Sequence, residues 1–301
     1  MSTFSFSKVA IIESLEPDEF ESGTVLSQYI NGLREDNPDA PPAELTQIEG
    51  CNGFLAKIHE LTLAAQNDGD FPILHIEMHG WRDKSGLAFP DGSSLSWNHL
   101  ADALASLNKA MHFNLVVCIS ACFGGHFVGS INPMASAPCF ALIGPTHKAN
   151  GPELLGSFRG FYRELLTTLN TPAALEALYG HRLDQGGFVT TSAEDWFFKL
   201  ANGYLLRDCT PSRLKERVDK IIEEMNQEGK AVSAEQRIEF ENIGETMAMG
   251  FLDRMFPRFF MIDSIPENAQ RFENSLAKAK ADALNLFYAH GPKATASPAG
   301  E

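Results

Sequence analysis

No apolar stretch in the chain approaches the ~20 residues that a helical membrane span requires, so no membrane partner is expected. The N-terminus, Met1-Ser2-Thr3-Phe4, lacks the basic patch and long apolar region of a secretory leader. Cysteine is scarce: Cys51, Cys118, Cys122, Cys139 and Cys209 are scattered and odd in number, which suits reduced thiols better than a disulfide framework. Cytoplasmic localisation is therefore expected. Positive charge is also short, 24 Lys and Arg against 39 Asp and Glu, a formal net charge of −15. Nucleic acid is thus not an expected partner, because phosphate binding relies on clustered cations. The patterns H-E-x-x-H, G-x-S-x-G, Walker and G-x-G-x-x-G are all missing.

What is present reads as alternating strands and helices. Lys8–Ile12, Phe71–Met78, Phe113–Ile119 and Phe140–Ile143 are short apolar runs of the kind found in buried parallel strands. Between them lie helix-period stretches: Val25 to Leu33, Asn52 to Ala65, a helix capped by Ser96, and one carrying Leu154, Phe158, Phe161, Leu165 and Leu169. Gly86, Pro90, Asp91 and Gly92 mark a loop or small hairpin. Thr171-Pro172 reads as an N-cap with a first-turn proline, and Ser192-Ala193-Glu194-Asp195 as a capping box. The alternation predicts an α/β fold, a three-layer sandwich around a mostly parallel sheet. After Thr210-Pro211 the pattern turns helical: Leu214, Val218, Ile221 and Met225; then Ile243, Met247 and Leu252; then a seam of Ala269, Phe272, Leu276, Ala279 and Ala283, with one short strand conceivable at Phe259–Ile262. The expected division is a domain of residues 1–208, a helical extension of 209–290 and a disordered tail of 291–301.

Two strands end in reactive side chains. One finishes in His79-Gly80, the other in Ala121-Cys122 followed by Gly124-Gly125. Functional groups in open parallel sheets gather at the carboxyl ends of strands, so neighbouring strands would bring His79 and Cys122 together. An imidazole beside a thiol can take its proton or stabilise the thiolate. The backbone N–H groups of Gly80 and Cys122 could then form an oxyanion hole, with a helix starting after Cys122 adding positive potential.

An apolar block ending in His-Gly (Ile73–Gly80), then one ending in Ala-Cys (Val116–Cys122), with His79 and Cys122 separated by 122 − 79 = 43 positions, resembles the caspase-like cysteine peptidases (clan CD), most nearly the bacterial CHAT-type. Leu87-Ala88-Phe89 with Leu95-Ser96-Trp97, and Phe140–Thr146 with the helix bearing Phe161-Tyr162, look like further segments of that group, so the resemblance covers roughly residues 5–205. It implies a cysteine endopeptidase with His79 as general base, Cys122 as nucleophile, and no metal or organic cofactor. The implied partners are a protein substrate and an activating or sensor protein, in the defence or cell-death settings where bacterial relatives act. Residues 210–290 resemble nothing in it.

Ser120, two before the nucleophile, is expected beside the substrate. Glu77 shares the face of His75 and His79, and either holds the His79 ring or reaches solvent. Caspases, which cut after Asp, typically carry Gln at the position of Ser120; metacaspases, which cut after Arg or Lys, carry Asp. With neutral Ser120, Arg82 as the nearby cation and Glu13, Glu77 and Asp83 as acids, a neutral, apolar residue is expected before the cleaved bond, or a basic one if Glu13 reaches the pocket floor. Two other readings stay open. An inactive relative of the same fold would be a scaffold or binding module. His75-Ile76-Glu77 with Cys118 and Cys122 also resembles a zinc deaminase pattern, but the spacing is C-x-x-x-C and Cys118 lies inside its strand. A cysteine phosphatase would need an arginine where Val128 stands.

Overall fold

In the computed structural model, residues 4–130, 132, 134–181 and 183–290 are described. The expected tail of 291–301 lies outside them. The chain forms two compact units, the first ending at Ala193 and the second running from Glu194, with Met134 and Ala135 grouped with the second.

The first unit is a mixed α/β sandwich. Its sheet comprises β1 (Lys8–Ser14), β2 (Ala43–Gln47), β3 (Pro72–Gly80), β6 (Val116–Ser120), β7 (Ala141–Pro145) and β8 (Phe188–Ser192), in the order β2-β1-β3-β6-β7-β8. All neighbours are parallel except β7 and β8. A small hairpin of β4 (Gly86–Ala88) and β5 (Ser94–Ser96) continues from β3, realising the loop or hairpin expected there. Helix α1 (Ser22–Asp36) carries the chain outward from β1 to β2, and α2 (Cys51–Asp68) carries it back to β3. Because such crossovers are right-handed, that reversal puts α1 and α2 on opposite faces. Helix α3 (Trp97–Ala110) packs with α2, while α4 (Gly151–Thr168) packs with α1 and with α5 (Thr171–Gly180).

The central strands form where the sequence is continuously apolar: every residue of β6 and the first seven of β3 are buried. The two edge strands were not readable that way. In β2 only Ala43 is buried, and β8 buries only Thr191, so neither makes an apolar run. Asn170, rather than Thr171, caps α5 by accepting from the Ala173 N–H at 3.1 Å, which leaves Thr171-Pro172 as the first turn.

The second unit begins at Glu194, one residue into α6 (Ala193–Asp208), a helix length before the boundary expected at 208/209. The reason is aromatic packing: the Phe197 ring lies 5.9, 5.7 and 5.2 Å from those of Phe256, Phe259 and Phe260, and Tyr204 stacks on Phe251 at 4.0 Å. Helices α7 (Pro211–Gln227), α8 (Ala234–Met249), α9 (Phe251–Phe259), α10 (Asn268–Arg271) and α11 (Glu273–His290) complete the unit. The strand conceived at Phe259–Ile262 is instead the end of α9 and a turn, closed by Ile262 N–H to the Pro257 carbonyl. The apolar series read as a single helix through Leu252 is broken at Gly250, leaving Ile243 and Met247 exposed and Leu252 buried. On the last two helices Phe272 and Ala279 are buried but Ala269 is exposed, and Asn268 and Ser275 complete the buried stripe. The Asn268 side chain is satisfied there by donating to the Phe260 carbonyl at 2.7 Å. No helix among the described residues is long and apolar enough to cross a membrane.

Candidate active site

The parallel register between β3 and β6 aligns Leu74 with Val117, His75 with Cys118 and Glu77 with Ser120. Beyond those pairs β3 runs on to Gly80 while β6 ends at Ser120, two residues before Cys122, so His79 and Cys122 both stand at the carboxyl edge, His79 on the face of β3 that His75 and Glu77 occupy. That face is the α1/α4 side: Glu77 reaches Ser22 at the start of α1, and His75 reaches Tyr162 on α4.

Backbone packing fixes this juxtaposition. A Cβ on Gly80 would fall 1.8 Å from the Cys122 carbonyl oxygen, so only glycine permits the approach. A Cβ on Gly124 would meet Ile119 at 2.6 Å, so its absence allows the chain to turn back directly after Cys122. That turn is closed by Gly124 N–H donating to the Ala121 carbonyl at 2.9 Å. It holds Phe123 at φ 63°, a left-handed conformation uncommon for an aromatic residue. Strained backbone of this kind collects at functional sites. Beyond the turn the helix expected after Cys122 is a seven-residue 3-10 helix, Gly124–Ser130. The nearest α-helical N-terminus belongs to α4 instead: the Cys122 thiol donates to the carbonyl of Ala149 at 3.4 Å, one residue before the Asn150 cap.

His79 is half exposed, and its Nε2 lies 2.7 Å from Oε2 of Glu19. Glu19 belongs to the loop joining β1 and α1, a segment without periodicity, and sequence reasoning missed it for that reason. Partial burial pushes its carboxyl upward, but hydrogen bonds from His79 and from the Glu16 N–H outweigh this and hold it below the usual glutamate range.

Glu77 does neither of the things expected of it. It is buried, accepting from the Ser22 hydroxyl at 2.7 Å and pairing with His75 Nε2 at 3.0 Å. Glu13 is buried as well. One of its oxygens accepts from the N–H groups of Gly23 and Thr24, the other from the Thr24 hydroxyl and the Gln47 amide, so it serves as a remote cap for α1 rather than the floor of a pocket. Ser120 is 1% exposed, walled in at the level of Glu77, and its hydroxyl oxygen has no hydrogen-bond partner among the described residues. The three residues assigned to substrate contact thus lie beneath the site.

The charge inventory shifts accordingly. Arg82 is not alone, because Lys84 Nζ lies 5.2 Å from the ring centroid of Phe123, the residue after Cys122. His147 and Lys148 are exposed on the segment whose His147 carbonyl accepts from the Phe123 N–H.

Cys118 is fully buried, and burial pushes its thiol up to about 12 despite a bond from Tyr162. Both ring nitrogens of His75 are taken, by Tyr162 at 3.2 Å and by Glu77. Among the described residues no group of three or more His, Cys, Asp and Glu side chains is arranged to hold a metal ion. Compared with known proteins, the chain matches no family model and no curated protein.

Proposed function

We propose that the chain is a cysteine endopeptidase of the caspase-like kind. The observation that carries this reading is the packing of Gly80, the residue after His79, against the Cys122 carbonyl at the carboxyl edge of the sheet. In this reaction Cys122 Sγ attacks the scissile carbonyl carbon as its proton passes to His79. The negative charge that develops on the carbonyl oxygen is met by the N–H groups of Gly80 and Cys122. His79 returns the proton to the departing amine, and a thioester remains on Cys122. Water, deprotonated by His79, then hydrolyses the thioester and frees the thiol. The steps need no metal or organic cofactor.

A second reading, an inactive scaffold on the same fold, draws on one feature: the thiol of Cys122 donates to Ala149, and Nε2 of His79 is engaged by Glu19. A peptidyl electrophile separates the two. A peptidase is alkylated at Cys122 at a rate that falls at least tenfold in His79→Ala. A scaffold binds such peptides without reacting, or reacts equally in both proteins.

A further inference from the structure

The loop from Leu15 to Glu21 is tied down at its far end by buried acids. Glu13 lies just before it on β1 and reaches across to cap α1 through Gly23 and Thr24. Glu77, its neighbour on β3, takes the Ser22 hydroxyl. Gly23 sits so close to Glu13 that a Cβ there would lie 2.9 Å from Oε1. The exit from β1 and the entry to α1 are thereby fixed on one side of the carboxyl edge, and the loop between them overhangs His79. Within the loop a turn closes on itself: the Glu19 N–H donates to the Glu16 carbonyl and the Glu16 N–H to Glu19 Oε2, both at 3.0 Å. The oxygen so oriented is the one that meets His79 Nε2 at 2.7 Å.

We propose that Glu19 is a positioning residue for the general base, fixing the proton of His79 on Nε2 and presenting Nδ1 to Cys122. An ionised carboxylate only accepts hydrogen bonds, so the nitrogen facing it carries the proton. The remaining nitrogen is then the one able to accept the thiol proton. When it does, the charge that appears on the imidazole is already paired with Glu19, as in the serine-peptidase arrangement of nucleophile, base and orienting acid. Glu13 and Glu77, buried beneath the site, act one step further back, through the loop they hold. The proposal rests on His79 being the base, so its test is independent of peptide cleavage.

The test uses the intact protein in three forms: wild type, Glu19→Gln, which keeps an oxygen acceptor without the charge, and Glu19→Ala, which keeps neither. Glu19 is 40% exposed, and circular dichroism checks that the variants fold. Nitrogen-15 NMR of the imidazole is expected to show a downfield Nε2–H proton for His79 in wild type, weakened in Glu19→Gln and lost in Glu19→Ala. In parallel, alkylation of Cys122 by iodoacetamide at neutral pH is expected to slow about tenfold or more in Glu19→Ala and less in Glu19→Gln, below the loss from removing a base outright. A wild-type proton on Nδ1, or an Nε2–H signal and alkylation rate unchanged in Glu19→Ala, overturns the proposal. Absence of peptide cleavage with these signatures intact would count against the peptidase reading alone.

Discussion

Gly80 and Cys122 meet backbone to backbone: the carbonyl oxygen of the cysteine occupies space that any side chain at position 80 would claim. The β3–β4 connection and the turn at Cys122 are therefore built as one unit. Because the Gly80 N–H belongs to the proposed oxyanion hole, the same contact links local packing to catalysis.

Gly80→Ala should accordingly be more damaging to turnover than to folding. The added methyl forces the Cys122 carbonyl to shift, which costs about 1–3 kcal/mol of stability as overpacking does. Displacing an oxyanion donor lowers kcat by about a hundredfold or more. Urea midpoints and kcat on a single peptide separate the two. Activity within twofold of wild type would mean that Gly80 has no part in the site.

The five thiols should differ sharply in reactivity. Burial raises those of Cys118 and Cys139, the former to about 12, and also raises Cys51 and Cys209. Brief iodoacetamide treatment at neutral pH, read by peptide mass spectrometry, should label Cys122 first and leave Cys118 and Cys139 unmodified until the protein is unfolded. Early labelling of Cys118 would contradict the packing of β6.

Acid should weaken the start of β1. Partial burial works against both charges of the Lys8–Asp70 pair, which meet at 2.5 Å, but their mutual hydrogen bond and attraction, with the Ser7 hydroxyl on Asp70 and Glu44 on Lys8, together outweigh it, so Asp70 is held below its ordinary 3.8 and Lys8 above 10.5. The contribution of Asp70 is therefore complete above about pH 4 and is lost as pH falls through the lower folded value. That of Lys8 is complete below its ordinary value and is lost only as pH rises past the folded one. Asp70→Asn should lower stability by about 1 kcal/mol at neutral pH and by progressively less as the solution is acidified, in urea titrations at several pH values.

Truncation tests where the first unit ends. A fragment ending at Asp208 keeps α6 but loses the rings of Phe251, Phe256, Phe259 and Phe260 that cover Phe197 and Tyr204, and should aggregate. One ending at Ala193 keeps every strand and should be soluble with a cooperative melt. The reverse outcome would return the boundary to Asp208.

The division between what sequence reading reached and what it missed has a physical basis. β1, β3, β6 and β7 announce themselves because strands buried on both faces need unbroken apolar runs. β2 and β8 lie at the sheet edges and bury one residue each, so composition carries little trace of them. His79, Gly80 and Cys122 were readable because strand ends and glycines mark them. Glu19 was not, since its role depends on how a non-periodic loop folds over β3. Glu13, Glu77 and Ser120 were placed at the correct strand level, but period-two reading says which face a side chain takes, not whether a helix covers it. For Glu13 and Glu77, α1 does, through Ser22, Gly23 and Thr24.

The most direct measurement is cleavage of a diverse peptide library by wild type, Cys122→Ala and His79→Ala, with new termini identified by mass spectrometry. A defined set of bonds cut by wild type and by neither variant, all three proteins being equally folded, is the predicted result, because nucleophile and base act as a unit. Cuts that persist in Cys122→Ala, or a folded wild type that cuts nothing in the library, would contradict the account.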